Sequence, residues 1–246
     1  ITINSSVSVT TVTTLLVNLS TTQFAGIQSD CDDLRFIDGV GIERPHWLRH
    51  CGTSSILAYI NVSSVAAQNN LSVYYNNSGA SSTSNIKKAI LGINAFWTFD
   101  GNTQDMVGKY NLTNSGASNA SSGCRIKGCY EYNPTQLDYM SIANPVGLQP
   151  DVKNASASYL SWATLYNKAL SPTIFSTIDG GGINRHLFIL DNGAEGNKDI
   201  DLYYDSAWRN GVAGSYNYNS LSMFGYSWTQ SSRHLKIFIN GTQMFN

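Results

Sequence analysis

Apolar and polar residues alternate over short segments in the first third of the chain, which is the period of half-buried β-strands. The segments that fit this pattern are residues 1–3, 7–17, 34–37, 56–62 and 71–75. Clusters of Gly, Asn, Asp and Ser separate them at the spacing of a β-sandwich. The pattern therefore predicts a small β-sandwich module over residues 1–80.

A polar run over residues 78–85 interrupts the alternation and is a candidate linker. Residues 86–93 fit either a short helix or a connecting strand. From Ala95 the alternation resumes with larger aromatic residues, among them Trp97, Trp162, Trp208 and Trp228. We therefore expect an all-β chain with a linker at 81–93 and a second β module over 94–246.

Composition agrees with this fold class and excludes two classes of partner. Only 13% of the residues are charged, about half of the usual share of roughly 25%. The polar residues are amides and hydroxyls instead, with 25 Asn but only 3 Glu. A net charge of -1 gives no field that would attract nucleic acid or an anionic membrane. No apolar run reaches the roughly 20 residues that cross a bilayer, so we expect no direct membrane insertion.

Four cysteines form two local pairs in the sequence, Cys31 with Cys51 and Cys124 with Cys129. The second pair does not have the spacing of a zinc knuckle or of a thioredoxin motif, and no pair of histidines lies nearby to complete a zinc site. Two disulfides are therefore favoured, and with them an oxidising exterior. Four buried free thiols are the alternative.

Nine Asn-x-Ser/Thr sequons indicate the same compartment, because N-glycans are attached to secreted chains. About five such sequons would arise by chance in a chain of this composition. They begin at Asn4, Asn18, Asn61, Asn70, Asn76, Asn111, Asn119, Asn154 and Asn240. We expect an extracellular or cell-surface protein that carries covalent N-glycans.

The two ends of the chain differ in character. Ile1 opens directly into an alternating pattern without a secretory signal. Residues 235–245 predict a strand, an Asn240-Gly241 turn and the start of a return strand. Because domains rarely stop within a hairpin, we expect the closing strands of the second module to be missing beyond Asn246, or its edge to be completed by another element.

The first module resembles a known family. Residues 1–4, 15–19, 32–38, 45–48 and 71–76 occur in the order of its motifs, and together they resemble the domain of unknown function numbered 2341. The most specific part is the Asp-Leu-Arg-Phe block that starts at Asp33, followed by Trp47. The resemblance implies a small β module of large bacterial or archaeal surface proteins, where it often precedes a concanavalin A-like module.

The second module is similar to concanavalin A-like, laminin G-like jelly rolls. The similarity rests on residues 96–101, 105–108, 128–132, 138–140, 159–162 and 236–241, in that order. Residues 166–172 resemble the motif that normally closes such a domain, but they lie in its middle, so we interpret them as a loop after the Trp162 strand. The resemblance implies a jelly-roll sandwich over residues 94–246.

No pattern of residues indicates catalysis. Some jelly rolls of this kind are glycoside hydrolases, which use two neighbouring carboxylates, but Glu43, Glu131 and Glu195 are far apart. Asp199 and Asp201 share one strand face, which we interpret as a solvated face. The histidines, which do not cluster, are His46, His50, His186 and His234, and we interpret the first two as packing or surface residues. A glycoside hydrolase is therefore the least favoured function.

One loop is a candidate calcium site. Asp100, Asn102 and Asp105 place three oxygen donors in a loop that we expect to follow a strand, and calcium binds carboxylate and amide oxygens. The alternative is that these residues form turns through local hydrogen bonds, as Asp and Asn commonly do. Asp191 and residues 199–201 are weaker candidates for the same ion.

An aromatic-rich tract late in the chain is a candidate contact surface for glycans or protein partners. It comprises Tyr203, Tyr204, Trp208, Tyr216, Tyr218, Tyr226 and Trp228, interleaved with Asn, Ser and Asp. Exposed aromatic rings stack on sugars, whereas rings on alternate strand positions pack inward. Trp208 and Tyr218 neighbour turn residues and are the favoured contact residues.

Two functions from different classes follow from these observations. The first is a non-catalytic cell-surface protein, an adhesin or glycan-binding segment, whose partners are cell-surface glycans. The second is a structural subunit of an extracellular filament, pilus-like fibre or surface layer. Its neighbouring subunits would exchange β-strands, with residues 1–17 as the segment that is lent, because an unpaired strand edge is a template for strand addition.

Overall fold

A computed structural model describes residues 12–63, 70–133, 135–143, 148, 156–164, 173–178, 184–191, 199–204, 207–209, 219–229, 231–232 and 234–245. In these residues almost all regular structure is β, with one four-residue helix, α1 (Ile86–Ala89), and a 3-10 turn at Thr21–Gln23. The all-β prediction is confirmed. The chain divides into two compact units, Ile1–Phe96 and Trp97–Asn246.

The described residues of the first unit form two antiparallel sheets. Its strands are β1 (Val12–Ser20), β2 (Arg35–Asp38), β3 (His46–Cys51), β4 (Ser55–Ser63) and β5 (Leu71–Tyr74). β4 lies between β1 and β3 in one sheet, and β2 pairs with β5 in the other. The predicted strands at 34–37, 56–62 and 71–75 are confirmed as β2, β4 and β5, with ends that differ by one residue. Residues 1–11 lie outside the described part of the chain, and β3 was not predicted.

Alternate residues of these strands form the core of the first unit, as a two-sheet sandwich requires. The residues of the larger sheet that contribute to it are Val17, Leu19, Ile56, Ala58 and Ile60. Those of the smaller sheet are Phe36, Leu71 and Val73, and Leu34, directly before β2, is buried with them. Cys31, which is also buried in this core, forms a disulfide with Cys51 at the end of β3. The disulfide therefore joins the end of β3 to the loop that precedes β2.

Helix α1 packs on β3 and β4. It begins where the Asn85 side chain accepts a hydrogen bond from the backbone N–H of Lys88 (3.1 Å), a helix N-cap. Ile86 and Ala89 are the buried residues of the helix. Of the two alternatives for residues 86–93, the helix is therefore the one that forms, over the first four residues.

The polar run before α1 is hydrogen-bonded to the first unit. Arg35 donates to the carbonyl oxygen of Ser81 (2.7 Å), and the backbone N–H of Leu48 donates to Ser84 Oγ (2.8 Å). The N–H of Asn85 donates to the carbonyl oxygen of His46 (2.7 Å). These bonds fix the run along β2 and β3, so a stretch with the composition of a flexible linker is an ordered part of this unit.

Two buried aspartates determine the loops around β2. The carboxylate of Asp33 accepts hydrogen bonds from the backbone N–H groups of Gln28 (3.2 Å), Asn76 (2.6 Å) and Asn77 (3.3 Å). It thereby ties the loop before β2 to the loop after β5. Asp38 accepts from the N–H groups of the turn that follows β2 and forms an ion pair with Arg44.

The second unit is built from twelve antiparallel strands in the described residues. They are β6 (Thr113–Ser115), β7 (Ser118–Ala120), β8 (Cys129–Glu131), β9 (Tyr139–Ser141), β10 (Ala157–Ala163), β11 (Thr173–Ile178), β12 (Asn184–Asp191), β13 (Asp199–Tyr204), β14 (Ala207–Arg209), β15 (Ser222–Thr229), β16 (His234–Ile239) and β17 (Thr242–Phe245). Two four-stranded sheets have the orders β10-β15-β16-β17 and β11-β12-β13-β14, and β6-β9 and β7-β8 are two-stranded.

Sequence predictions for the second unit have mixed outcomes. The hairpin at 235–245 is confirmed as β16 and β17, and its Asn240-Gly241 turn has φ values of 49° and 81°, as a tight hairpin turn requires. The predicted strand at 159–162 is confirmed within β10. The strand expected before Asp100 is wrong, because only the single bridge between Trp97 and Asp105 forms there.

Asp33→Asn is expected to destabilise the first unit by about 2–4 kcal/mol, because the new amide nitrogen cannot accept the buried backbone N–H groups that the carboxylate now accepts. Urea unfolding measures this change. Asp30→Asn is the matched control, because Asp30 is an exposed carboxylate three residues away. Equal stability of the two variants would show that Asp33 does not hold these loops.

The burial of His46 makes the stability of the first unit depend on pH. It is buried on the core side of β3 with its ring 5.0 Å from that of Phe36. Burial lowers the pKa of His46 and the charge of Arg35 lowers it further, against opposing contributions from Glu43 and from the backbone of Arg44. A lowered folded-state pKa means that protonation favours the unfolded chain, so stability is full above the ordinary value of 6.5 and falls as pH decreases below it.

We therefore expect the first unit to be less stable at pH 5.5 than at pH 7.5, and His46→Phe to abolish this difference. Burial raises the pKa of Asp38, but the N–H groups of Ile42 and Val40 and the Arg44 guanidinium lower it below 3.8 overall, so this carboxylate titrates outside the window. Thermal unfolding at the two pH values measures the effect. His234→Gln, at an exposed position of the second unit, should keep the difference.

Candidate functional site

Strand β10 carries large apolar side chains on both of its faces. Tyr159 points to one face, where its ring stacks on that of Tyr226 at 5.9 Å between centroids. Leu160 and Trp162 point to the other and are 61% and 44% exposed. Because side chains alternate along a strand, this second face of the sheet is exposed along β10.

Strand pairing continues this face across the sheet, where its residues in β15 and β16 are half-buried or buried. Residues that pair directly lie on the same face, so the register assigns to it Ser158, Leu160 and Trp162 of β10, Met223, Gly225 and Ser227 of β15, and Lys236 and Phe238 of β16. We call these eight residues the Trp162 face. The opposite face of the sheet is buried and contains Phe224, Tyr226, Ile237 and Ile239.

The floor of the Trp162 face is shaped by Gly225. A Cβ atom at this position would lie 3.0 Å from both Leu160 Cδ1 and the carbonyl oxygen of Tyr159. The absence of a side chain therefore lets Leu160 lie across the sheet rather than stand away from it. Burial raises the pKa of Tyr159, on the opposite side of the sheet, to about 12.

A disulfide-closed loop supplies a cation to this face. The Cys124–Cys129 disulfide closes the loop that joins β7 and β8, and both predicted cysteine pairs are thereby confirmed. Within this loop, Arg125 places its guanidinium carbon 4.9 Å from the centroid of the Trp162 ring, a cation–π contact. The exposed indole and the guanidinium thus form one composite surface.

Gly128 anchors the same loop to the preceding segment. Its backbone N–H donates to Asp100 Oδ1 at 3.1 Å. A Cβ atom on Gly128 would lie 3.1 Å from the Cα of Asp100 and 3.2 Å from the carbonyl oxygen of Phe99, so only glycine fits without displacing the backbone. The loop that carries Arg125 is therefore held at two places, by the disulfide and by this contact.

The three predicted calcium donors all accept hydrogen bonds from backbone N–H groups. Asp100 accepts from Gly128, as described, and Asn102 accepts from Gln104 (3.0 Å). The carboxylate of Asp105 is buried and accepts from Val107, Lys109 and Tyr110, each at 3.0 Å. Among the described residues no group of three or more Asp, Glu, His or Cys side chains could hold a metal. Calcium at this loop stays a prediction.

The side chains of the favoured aromatic contacts, Trp208 and Tyr218, lie outside the described part of the chain. Trp208 belongs to β14, opposite Tyr203 of β13, but its side chain is outside the described part, as is all of Tyr218. Asp199 and Asp201 lie in β13, and Asp191 lies at the end of β12. The side chains of these three residues are likewise outside the described part.

Sequence reasoning assigned Trp162 to a strand but missed its exposure, and it missed Arg125 altogether. The available signal for Trp162 was the presence of apolar residues on both faces of β10, since a strand in a two-layer sandwich buries only one face. The signal for Arg125 was a short, basic loop between paired cysteines, Cys-Arg-Ile-Lys-Gly-Cys.

Most of the sequons in the described residues are exposed. The exposed ones are Asn18, Asn70, Asn76, Asn111, Asn119 and Asn240. Asn61 is half-buried, and its Nδ2 donates to the carbonyl oxygen of Lys88 at 2.9 Å. Asn4 and Asn154 lie outside the described residues. The sequons therefore differ in how readily a glycan could be attached to the folded chain.

Comparison with known proteins identifies one part of the chain. No curated protein and no solved structure matches the chain. Separately, no helix of the described residues is long and apolar enough to cross a membrane. The resemblance of the second unit to concanavalin A-like domains stays a prediction. Residues 30–115 match the family described as Domain of unknown function (DUF2341), which supports the resemblance of the first unit and extends into the second as far as β6.

Proposed function

We propose that this chain is a non-catalytic extracellular binding protein, an adhesin or glycan-binding segment, whose second unit contacts its ligand through the Trp162 face. The observation that carries the proposal is the exposure of Leu160 and Trp162 on a regular sheet whose other face is buried. Contiguous apolar surface of this kind on a folded domain marks contact sites. The two disulfides support the extracellular assignment.

The chemistry of the Trp162 face suits a saccharide. Trp162 offers an aromatic ring of the type that packs against the C–H face of a sugar ring, and hydroxyl groups of Ser158 and Ser227 lie on the same face. Gln243 pairs with Phe238 at the far side of the sheet and adds an exposed amide. A few polar groups beside an apolar platform are what orient and hold a hydroxylated ligand.

A strand-exchange subunit is the second candidate, and β1 favours it. This strand is an outer strand of its sheet, contains no charged residue and exposes Leu16, whereas edge strands are usually guarded by charge. Residues 12–17 of the segment expected to be lent are, however, paired with β4 of the same chain. A neighbouring subunit could therefore add a strand to the edge of β1 without the loss of this pairing, whereas lending residues 12–17 would require it to break.

A glycan array probed with the purified chain is expected to show specific saccharide binding, and Trp162→Ala should weaken it about fivefold or more, because the stacked ring is lost. Tyr74→Ala is the control, since Tyr74 is an exposed aromatic residue of the first unit. Binding that Trp162→Ala leaves unchanged would exclude the Trp162 face. Polymerisation of the wild-type chain without any glycan binding would favour the strand-exchange subunit.

Native material is expected to carry glycans at exposed sequons such as Asn70 and Asn119 and none at Asn61. The Asn61 side chain is directed at the backbone of α1, where an attached sugar would displace the helix from the sheet. Mass spectrometry of glycopeptides measures the occupancy of each site. A fully occupied Asn61, or bare Asn at all the exposed sequons, would contradict the expectation.

A further inference from the structure

Arg125 changes what the Trp162 face can bind. Its guanidinium lies over the indole ring, so a sugar cannot stack on that part of the ring without displacing it. A guanidinium that stacks on an aromatic ring through its plane keeps its N–H edge free to donate, and that edge matches a carboxylate or a sulfate in a bidentate arrangement. The composite surface is therefore suited to an anion rather than to a neutral ring.

The cations around this face have no counter-ion in the described residues. The two ion pairs found there, Arg35 with Glu43 and Arg44 with Asp38, both belong to the first unit. No described carboxylate oxygen lies within 4.0 Å of the charged nitrogens of Arg125, Lys127 or Lys236. Lys127 is exposed in the same disulfide-closed loop as Arg125, and Lys236 lies on the Trp162 face. Within the described part of the chain, these three cations are therefore not neutralised by a carboxylate.

The position of Arg125 is also set before any ligand arrives. The Cys124–Cys129 disulfide and the contact of Gly128 with Asp100 restrain the loop. The guanidinium itself contacts the face of the Trp162 indole. An arginine that is held in place loses less side-chain entropy on binding than a free one. The restraint of the loop therefore favours ligand binding by the guanidinium.

We infer that the ligand of the Trp162 face is an anionic saccharide, bearing carboxylate or sulfate groups, and that Arg125 binds the anion with help from Lys127 of the same loop. This inference rests on the proposed glycan-binding function and specifies its ligand class. Trp162 and Leu160 contact the apolar side of the sugar, and the guanidinium edge binds its acidic group.

The experiment compares matched polysaccharides at 150 mM salt. Polygalacturonate is paired with its methyl ester, and dextran sulfate with dextran, so that each pair differs only in charge. Immobilised polysaccharides are probed with the full chain by biolayer interferometry, beside an array of neutral, carboxylated and sulfated glycans. We expect the wild-type chain to bind at least one charged member about tenfold more tightly than its neutral counterpart, as expected when charge-assisted hydrogen bonds are made only with the anion.

Three variants then test the role of Arg125. Arg125→Gln should reduce binding of the charged member about tenfold or more and leave the neutral member unchanged, and Arg125→Lys should be intermediate, because an ammonium cannot bind bidentately. A Cys124→Ser, Cys129→Ser double variant should resemble Arg125→Gln. Lys87→Gln, which removes an exposed cation of α1, is the control and should stay within about twofold of wild type.

The outcomes separate the inference from the function on which it rests. Equal binding of charged and neutral partners, or array binding restricted to neutral glycans, would overturn the anionic ligand and leave glycan binding intact. An effect of Lys87→Gln as large as that of Arg125→Gln would show unspecific ion exchange and would also overturn it. Failure to bind any polysaccharide or array glycan would overturn both.

Discussion

Buried aspartate carboxylates that accept backbone N–H groups are the interaction on which both units depend. Short strands leave much of this chain in loops, and each loop residue brings an N–H group that needs an acceptor. Asp33 accepts three such groups from two loops, and Asp105 accepts three from one. A buried carboxylate is costly when it is alone, but several charge-assisted hydrogen bonds offset that cost and fix the loop geometry.

This use of aspartate explains why the most recognisable block of the sequence is not its functional site. In the Asp-Leu-Arg-Phe segment, Asp33 organises loops and Phe36 fills the core. Arg35 donates to backbone carbonyl groups and pairs with Glu43. Every side chain of the block that could carry chemistry is engaged in holding the first unit together. The surface that offers free groups, the Trp162 face, lies in the second unit and outside the matched family region.

The fold could be predicted from sequence wherever the signal is local. The alternation of β2, β4 and β5, the Asn240-Gly241 turn and the two neighbouring cysteine pairs are all local patterns. Strand β3 gave no such signal, because it contains two histidines and an arginine and its pairing with β4 shifts between Leu48 and His50. It forms because β4 supplies a partner, which is a tertiary effect.

The candidate site was harder to predict for the same reason. A loop rich in Asp and Asn can hold calcium or form turns, and only the positions of the backbone N–H groups around Asp105 show which hydrogen bonds its carboxylate makes. An apolar strand such as β10 shows that two faces are apolar, but not which of them is covered. Exposure of Trp162 depends on what packs against the sheet, and that is set by residues far away in the sequence.

The burial of these carboxylates also bears on the charge of the ligand that the Trp162 face binds. The formal net charge is -1, from 16 acidic and 15 basic residues, and it excludes a strong overall field. It also counts carboxylates that no ligand can reach, since Asp33, Asp38 and Asp105 are buried and their charge is taken up by backbone N–H groups or by Arg44. Arg125, by contrast, remains at the surface beside an exposed indole. Short-range recognition is decided by the groups that are accessible, so a chain with a small negative net charge can present a cationic contact face.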